Sequence, residues 1–155
     1  MNIACAVYSF PCGNLRICCN ERTVTEISRT ELPVGGEASP LCDETARELT
    51  EYFGGTRREF DVPVETHGTE FQERVWAALR DIPYGETRSY KDIAAAVGNE
   101  KDCRAVGGAN NKNPVCIITP CHRVIGASGA MIGYAGGLDM KKLLLELERK
   151  YSSEG

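Results

Sequence analysis

No uninterrupted apolar run in this 155-residue sequence approaches the roughly 18 residues needed to cross a bilayer. The opening stretch Met1-Asn2-Ile3-Ala4-Cys5-Ala6 also lacks a basic leader ahead of its apolar residues. Both absences argue against a membrane span or a secretory signal and predict a soluble, cytoplasmic protein. There is no Cys-x-x-Cys pair either, although eight cysteines are present, at 5, 12, 18, 19, 42, 103, 116 and 121. Without that spacing or a secretory context, reduced thiols are expected rather than a disulfide framework. Positive charge is short as well. A net charge of -4 and a pI near 5.3 run against general nucleic-acid binding, which phosphate neutralisation dominates. That average hides an asymmetry: Arg88 to Arg123 carries six cations against three anions, a local +3 that leaves -7 for the rest of the chain. One basic face is therefore compatible with the acidic whole. What is present, 42% hydrophobic and 26% charged residues, is ordinary globular composition, enough for one domain or a small one joined to a larger.

Three β-like runs open the chain, Ile3 to Ser9, Asn14 to Cys19 and Thr23 to Ser28, separated by turn chemistry at Pro11-Cys12-Gly13-Asn14 and Asn20-Glu21-Arg22. They predict an antiparallel meander. Leu32 to Ser39, rich in Gly and Pro, reads as a loop. Ser39-Pro40 then offers a cap and a first-turn proline for a helix with Ala46, Leu49, Tyr52 and Phe53 on one side, ended by Gly54-Gly55. A short strand around Phe60 to Val64 would return to the sheet. Residues 1–66 thus read as an N-terminal α/β scaffold domain with a small antiparallel sheet and no chemical motif of its own.

Residues 67–155 read as a second, mostly α domain. Thr69 and Gln72 fit a capping box, and Phe71, Val75, Ala78, Leu79 and Ile82 repeat at helical spacing until Pro83 and Gly85. Trp76 beside that stripe is read as core. Two helices follow, Ser89 to about Val97 and Glu100 to about Asn111, with Gly98-Asn99 between them, the spacing of a helix-turn-helix. Any pair of core helices in a bundle shares that pattern. The content of the second helix is more telling: Arg104 followed by Ala105, Gly107, Gly108 and Ala109 gives up helix propensity in exchange for close backbone approach to a partner.

The chemistry concentrates in Pro120-Cys121-His122-Arg123-Val124. The β-branched run Pro114 to Thr119 reads as a buried strand delivering the thiol at its end. A cysteine becomes a nucleophile when its proton is drawn off, because the free pKa of roughly 8.5 leaves little thiolate at neutral pH. His122 is the candidate base if Pro120 bends the chain, acting through a bridging water. Further on, glycines at 126, 129, 133, 136 and 137 surround Tyr134 and read as a low-bulk loop able to wall a pocket for a flat ring. The final helix, Leu138 to about Lys150, offers two glutamates. Glu146 lies in a ladder with Lys142 and Lys150, whereas Glu148 follows Leu144 and Leu145 on the buried stripe and is the better partner for His122.

These residues resemble the O6-alkylguanine-DNA alkyltransferase family. The likeness rests on the Pro-Cys-His-Arg-Val stretch together with Phe71 to Leu79, Ile82-Pro83-Tyr84-Gly85-Glu86-Thr87, Ser89-Tyr90, Arg104 to Ala109, Asn113-Pro114 and Gly133 to Leu138, all in the family's order. It covers roughly residues 68 to 148, and the first 60 or so residues follow only in general pattern. The resemblance implies a ribonuclease H-like N-terminal unit. It also implies direct, irreversible, single-turnover transfer of an alkyl group from O6-alkylguanine in duplex DNA, after base flipping, with O4-methylthymine as a second possible lesion. By the same resemblance Cys121 is the acceptor, His122 and Glu148 activate it, Tyr90 donates to the departing purine, and Asn113 braces the active-site turn. Arg104 replaces the extruded base, and Ala105, Gly107, Gly108, Ser89, Lys112 and Arg123 contact DNA. Val124, Tyr134 and Ala135 line the base pocket. The protein is expected to act as a monomer on DNA, at the nucleoid or in a nucleus, without a metal, an organic cofactor or a membrane.

Some positions depart from the family. Cys5 stands where several members carry a zinc ligand, but Asn20 and Thr25 replace further ligands, so no such site is expected. Adjacent Cys18-Cys19 and His67 are a weaker combination. Ala135 replaces a hydroxyl found in some relatives, which bears on the bulk of alkyl group accepted, and Cys116 replaces a proline. The competing reading is a non-catalytic lesion-binding relative that lacks the acceptor; the presence of Cys121 argues against it. A transcriptional regulator would need base-reading side chains that the Gly-Ala helix does not offer.

Overall fold

The first three strands bury apolar side chains from each of them in a shared core. In the computed structural model, which describes residues 3–98, 101–126, 134 and 136–154, β1 (Ala4–Phe10), β2 (Gly13–Cys19) and β3 (Val24–Arg29) form the expected antiparallel meander. Leu15, Ile17, Val24 and Ile27 are sealed on the side covered by α1 (Pro40–Phe53). Ser39 Oγ accepts from Cys42 N at 3.2 Å, Pro40 occupies the first turn, and Gly54 caps the other end. The chain divides by its contacts into units Met1–Thr66 and His67–Gly155.

Three features of the first unit differ from expectation. The Gly-rich stretch is not all loop: β4 (Gly35–Glu37) pairs with β1, giving the sheet order β3-β2-β1-β4. Gly36 makes this possible, since at φ +111° a Cβ would lie 2.7 Å from the Cys5 carbonyl oxygen. Phe60 to Val64 forms no strand. It contributes one parallel bridge, Val24 to Val64, and is held by the buried Glu48 carboxylate, which accepts from Asp61 N (2.9 Å) and Val62 N (3.3 Å). Finally, Cys5 and Cys18 form a disulfide, correcting the expectation of reduced thiols throughout. The two sit directly opposite on β1 and β2 with Cα atoms 4.2 Å apart. Strand register, invisible in linear spacing, brings them together.

In the second unit, α2 (Glu70–Arg80) begins with the complete Thr69/Gln72 capping box. Trp76 is core, its Nε1 donating to the Ala109 carbonyl at 2.9 Å. Gly68 leaves room for that indole: a Cβ there would come within 2.6 Å of the ring. The helix-turn-helix consists of α3 (Tyr90–Ala96), with a Ser89/Asp92 capping box, and α4 (Cys103–Asn111). α4 starts at Cys103, and Asp102 at its cap makes no side-chain cap bond; Glu100, the expected start, lies outside the described residues. Pro114 to Thr119 is a set of tight turns rather than a strand. Ile118 N bonds to Cys116 O (2.8 Å) and Thr119 N to Val115 O (3.1 Å), with buried Ile117 at φ 72°. A 3-10 turn at Cys121–Arg123 follows, then β6 (Val124–Ile125), which pairs in parallel with β5 (Arg88–Ser89). α5 (Leu138–Glu154) buries Met140, Leu144 and Leu145. Among the described residues no helix is long and apolar enough to cross a membrane.

Candidate active site

Four elements of the second unit converge on Cys121. The thiol opens the 3-10 turn, and the residue is 3% exposed. Burial pushes its pKa up. Hydrogen bonding from the side chains of Asn113 and Tyr134 and the charge of Lys141 pull the other way. Asn113 braces the turn from both sides, its Nδ2 donating to Thr119 O (2.7 Å) and its Oδ1 accepting from Val115 N (3.1 Å). The β5/β6 pairing opposes Arg88 to Val124 and Ser89 to Ile125, so Tyr90 at the start of α3 is set close to the nucleophile turn. Burial and the neighbouring Cys121 both raise the Tyr90 pKa, which keeps its hydroxyl a donor at neutral pH.

His122 is fully buried, and its Nε2 meets Glu148 Oε2 at 2.7 Å. Glu148 also accepts from Arg123 Nε (2.8 Å) and Nη2 (3.0 Å) and from Gly85 N (3.2 Å). Burial alone would raise the Glu148 pKa, but the bonds and charges of His122 and Arg123 outweigh it and hold the carboxyl well below the usual carboxylate range. Burial drives the His122 pKa down against the pull of Glu148. The result is a neutral imidazole with Nε2–H turned to a carboxylate, which leaves Nδ1 as the acceptor. Nδ1 is buried and meets no hydrogen-bond partner among the described residues.

Arg123, expected on DNA, is instead buried: Nη1 donates to the Ile82 carbonyl at 2.7 Å while Nε and Nη2 grip Glu148. It locks the last helix to the active-site turn and presents no guanidinium to a phosphate. On α4, Arg104 and Gly108 are exposed, Ala105 and Gly107 half-buried, and Lys112 exposed beyond the helix end. A Cβ at Gly108 would meet nothing within 4 Å, so packing does not require that glycine. Ser89 Oγ is taken up in capping α3. Val124 is buried and Tyr134 half-buried, while Ala135 lies outside the described residues.

Two side chains at the site escaped the sequence reading. Lys141 is fully buried, with Nζ donating to the Val124 carbonyl at 2.6 Å and lying 5.9 Å from the Tyr90 ring centroid. Burial pushes its pKa down, and Cys121 opposes that shift. Its position was readable: Lys141, Leu144, Leu145 and Glu148 share one helical stripe. Asn110, 1% exposed, donates from Nδ2 to the Cys121 carbonyl at 3.4 Å. Among the described residues no cluster of three His, Cys, Asp or Glu side chains is placed to hold a metal ion.

Family models agree with this division of the chain. Residues 3–66 match the ribonuclease-like domain of 6-O-methylguanine DNA methyltransferase, and residues 70–150 match its DNA binding domain. The chain belongs to the 6-O-methylguanine DNA methyltransferase family. Among its relatives, the methylated-DNA--protein-cysteine methyltransferase of Methanosarcina acetivorans is 46% identical over 150 residues, covering 92% of this chain and 96% of that protein. The protein of the same name from Mycobacterium tuberculosis H37Rv is 58% identical over 125 residues, covering 80% and 73%. The crystal structure of M. tuberculosis O6-methylguanine methyltransferase matches with a TM-score of 0.86 at 41% identity, covering 97% of this chain and 94% of that one. M. tuberculosis OGT in complex with DNA matches with a TM-score of 0.85 at 42% identity, covering 94% and 92%. The methyltransferase family thus spans both units.

Proposed function

We propose that this protein repairs O6-alkylguanine in duplex DNA by moving the alkyl group to Cys121, once per molecule. The observation that carries the reading is the buried Cys121 turn with the His122–Glu148 pair behind it, in a chain whose relatives are methylated-DNA--protein-cysteine methyltransferases. His122 Nδ1 takes the thiol proton through a bridging water, and Glu148 stabilises the imidazolium that forms. The sulfur attacks the alkyl carbon. An S–C bond forms, the C–O6 bond breaks with its electron pair going to the purine, and Tyr90 quiets the developing charge by hydrogen bonding. Lys141 adds a cation near the thiolate. The thioether left on Cys121 has no hydrolytic route back to a thiol, so turnover stops at one.

Access to the lesion requires extrusion of the base, which costs a few kcal/mol. Arg104 fills the vacated stack, and the small face of Ala105, Gly107 and Gly108 lets α4 approach the groove closely. Lys112 adds phosphate contact. The first unit serves as scaffold, and the protein acts as a monomer wherever the cell keeps its DNA. Duplex bearing a labelled O6-methyl group is the test: label appears on Cys121 up to one equivalent per protein. Binding without transfer, or many lesions mended per molecule, would overturn the reading.

A further inference from the structure

We propose that Asn110 is a specificity-determining residue whose Oδ1 accepts a hydrogen bond from the exocyclic amine of the flipped O6-alkylguanine, favouring guanine lesions over O4-alkylthymine. This rests on the alkyl-transfer reading above. Asn110 stands at the penultimate position of α4 and is 1% exposed. Its Nδ2 donates to the Cys121 carbonyl at 3.4 Å. Its side chain also lies near enough to Tyr90 to ease a phenol pKa that burial raises. One turn earlier on the same helix face, a Cβ at Gly107 would lie 3.9 Å from Tyr90 Cε1, so the phenol ring lies along this side of α4. Asn110 therefore holds the residue carrying the acceptor sulfur and sits on the side of α4 along which the phenol that bonds to the purine lies.

The orientation of the amide follows from its neighbour. Turned over, it would set Oδ1 against the Cys121 carbonyl, acceptor against acceptor. Oδ1 consequently points elsewhere, and it is buried with no hydrogen-bond partner among the described residues. An unpaired buried acceptor costs about 1–3 kcal/mol, and leucine would fill a similar volume without that cost. The acceptor is matched to a donor that arrives with the substrate. Alkylation at O6 removes the N1 hydrogen of guanine, leaving the 2-amino group as the donor on that edge of the base. Alkylation at O4 removes the N3 hydrogen of thymine and leaves its ring without a donor. Only the guanine lesion satisfies Oδ1.

Single-turnover transfer is measured for the parent, Asn110→Leu, Asn110→Ala and Asn110→Asp on duplexes bearing O6-methylguanine, O6-methylhypoxanthine (which lacks the amine) or O4-methylthymine. In the parent the guanine lesion reacts about 10-fold or more faster than the hypoxanthine one, the scale of a buried hydrogen bond lost. That ratio collapses to within about two-fold in Asn110→Leu and Asn110→Ala, and the thymine-to-guanine ratio rises. Asn110→Asp keeps an acceptor and so keeps the preference for the amine, whatever its absolute rate. Thermal unfolding of each variant shows that the fold is intact, and Asn110→Ala, adding no bulk, serves if Asn110→Leu does not fold. An unchanged guanine-to-hypoxanthine ratio in Asn110→Ala, or no ratio in the parent, overturns the assignment. Failure of the parent to transfer from O6-methylguanine at all would instead overturn the alkyl-transfer reading beneath it.

Discussion

Replacing Glu148 by Gln tests the most heavily bonded group in the site. The carboxylate accepts from His122 Nε2, from Arg123 through Nε and Nη2, and from Gly85 N, and it is 1% exposed. Glutamine keeps the shape but has one acceptor oxygen. Its NH2 group must face either the Arg123 guanidinium or the His122 ring N–H, donor against donor, and the buried Arg123 cation loses its counter-charge. Breaking one side of a buried pair costs about 3–5 kcal/mol, a large share of the roughly 5–15 kcal/mol that stabilises a folded domain. For a chain of this size that lowers Tm by about 10 °C or more at pH 7. The pH dependence has a definite sign. The folded carboxyl titrates below its unfolded value, so its contribution is complete above about pH 5 and drains away as pH falls toward the folded pKa. Glu148→Gln, which cannot titrate there, should therefore approach the parent in stability as pH is lowered from about 5 to 3. Denaturant unfolding followed by circular dichroism at several pH values measures the gap, and transfer kinetics at a temperature where both are folded should show a slower variant with nearly parental DNA affinity. A gap under about 0.5 kcal/mol at pH 7, or one that stays constant down to pH 3, would refute the pairing as an energetic element.

Three further outcomes follow from particular contacts. Lys141→Met removes the buried cation that lowers the Cys121 pKa, so the pH-rate profile of transfer should move toward alkaline pH by about one unit; an unmoved profile would remove Lys141 from the electrostatics of the thiol. Arg104→Ala should slow repair of duplex by about 10-fold or more and affect transfer from the free alkylated base far less, and an equal loss on both substrates would argue against a role in base extrusion. Gly36→Val drives a Cβ to within 2.7 Å of the Cys5 carbonyl at a positive φ and should destabilise the first unit by about 2 kcal/mol or more. Unfolding curves for that variant indistinguishable from the parent's would mean that β4 carries no weight in the sheet.

Local chemistry in the sequence was sufficient wherever a signal repeats or is self-contained. Thr69 with Gln72, Ser39 with Pro40 and the β-like runs parted by turn residues through β1 to β3 each specify an element from neighbouring residues alone, and each element forms there. Glu148 was separable from Glu146 because a helix stripe has a buried side. The readings that failed depend on partners distant in sequence. Pro114 to Thr119 has strand composition, yet among the described residues it pairs with no named strand, and the same β-branched residues pack as turns with Ile117 at φ 72°. β4 forms from glycines that propensity assigns to loop, because β1 supplies the hydrogen-bonding edge. Arg123 looks like a phosphate ligand in isolation and becomes an internal clamp only once α5 delivers Glu148. Asn110 gave no signal because its partner is a backbone carbonyl eleven residues on.

The two halves of the proposed task, gripping DNA and moving an alkyl group, are joined by short contacts through α4. Asn113 just beyond its end holds the Thr119 carbonyl, and Asn110 within it holds that of Cys121, so both sides of the nucleophile are tied to the helix that would enter the groove. The turn between them keeps a β-branched residue at positive φ, a conformation costing about 1–3 kcal/mol that persists only where its surroundings dictate it. Such a turn has little freedom to drift while DNA is sought. Burial meanwhile raises the Cys121 pKa and closes the sulfur to solvent. For a thiol that is consumed by its first alkylation, being protonated and covered when no lesion is present is an advantage, since stray electrophiles would otherwise spend the protein. Reactivity then has to come with the substrate: the incoming base brings the alkyl carbon, the contact with Tyr90 and, as proposed, a donor for Asn110 Oδ1.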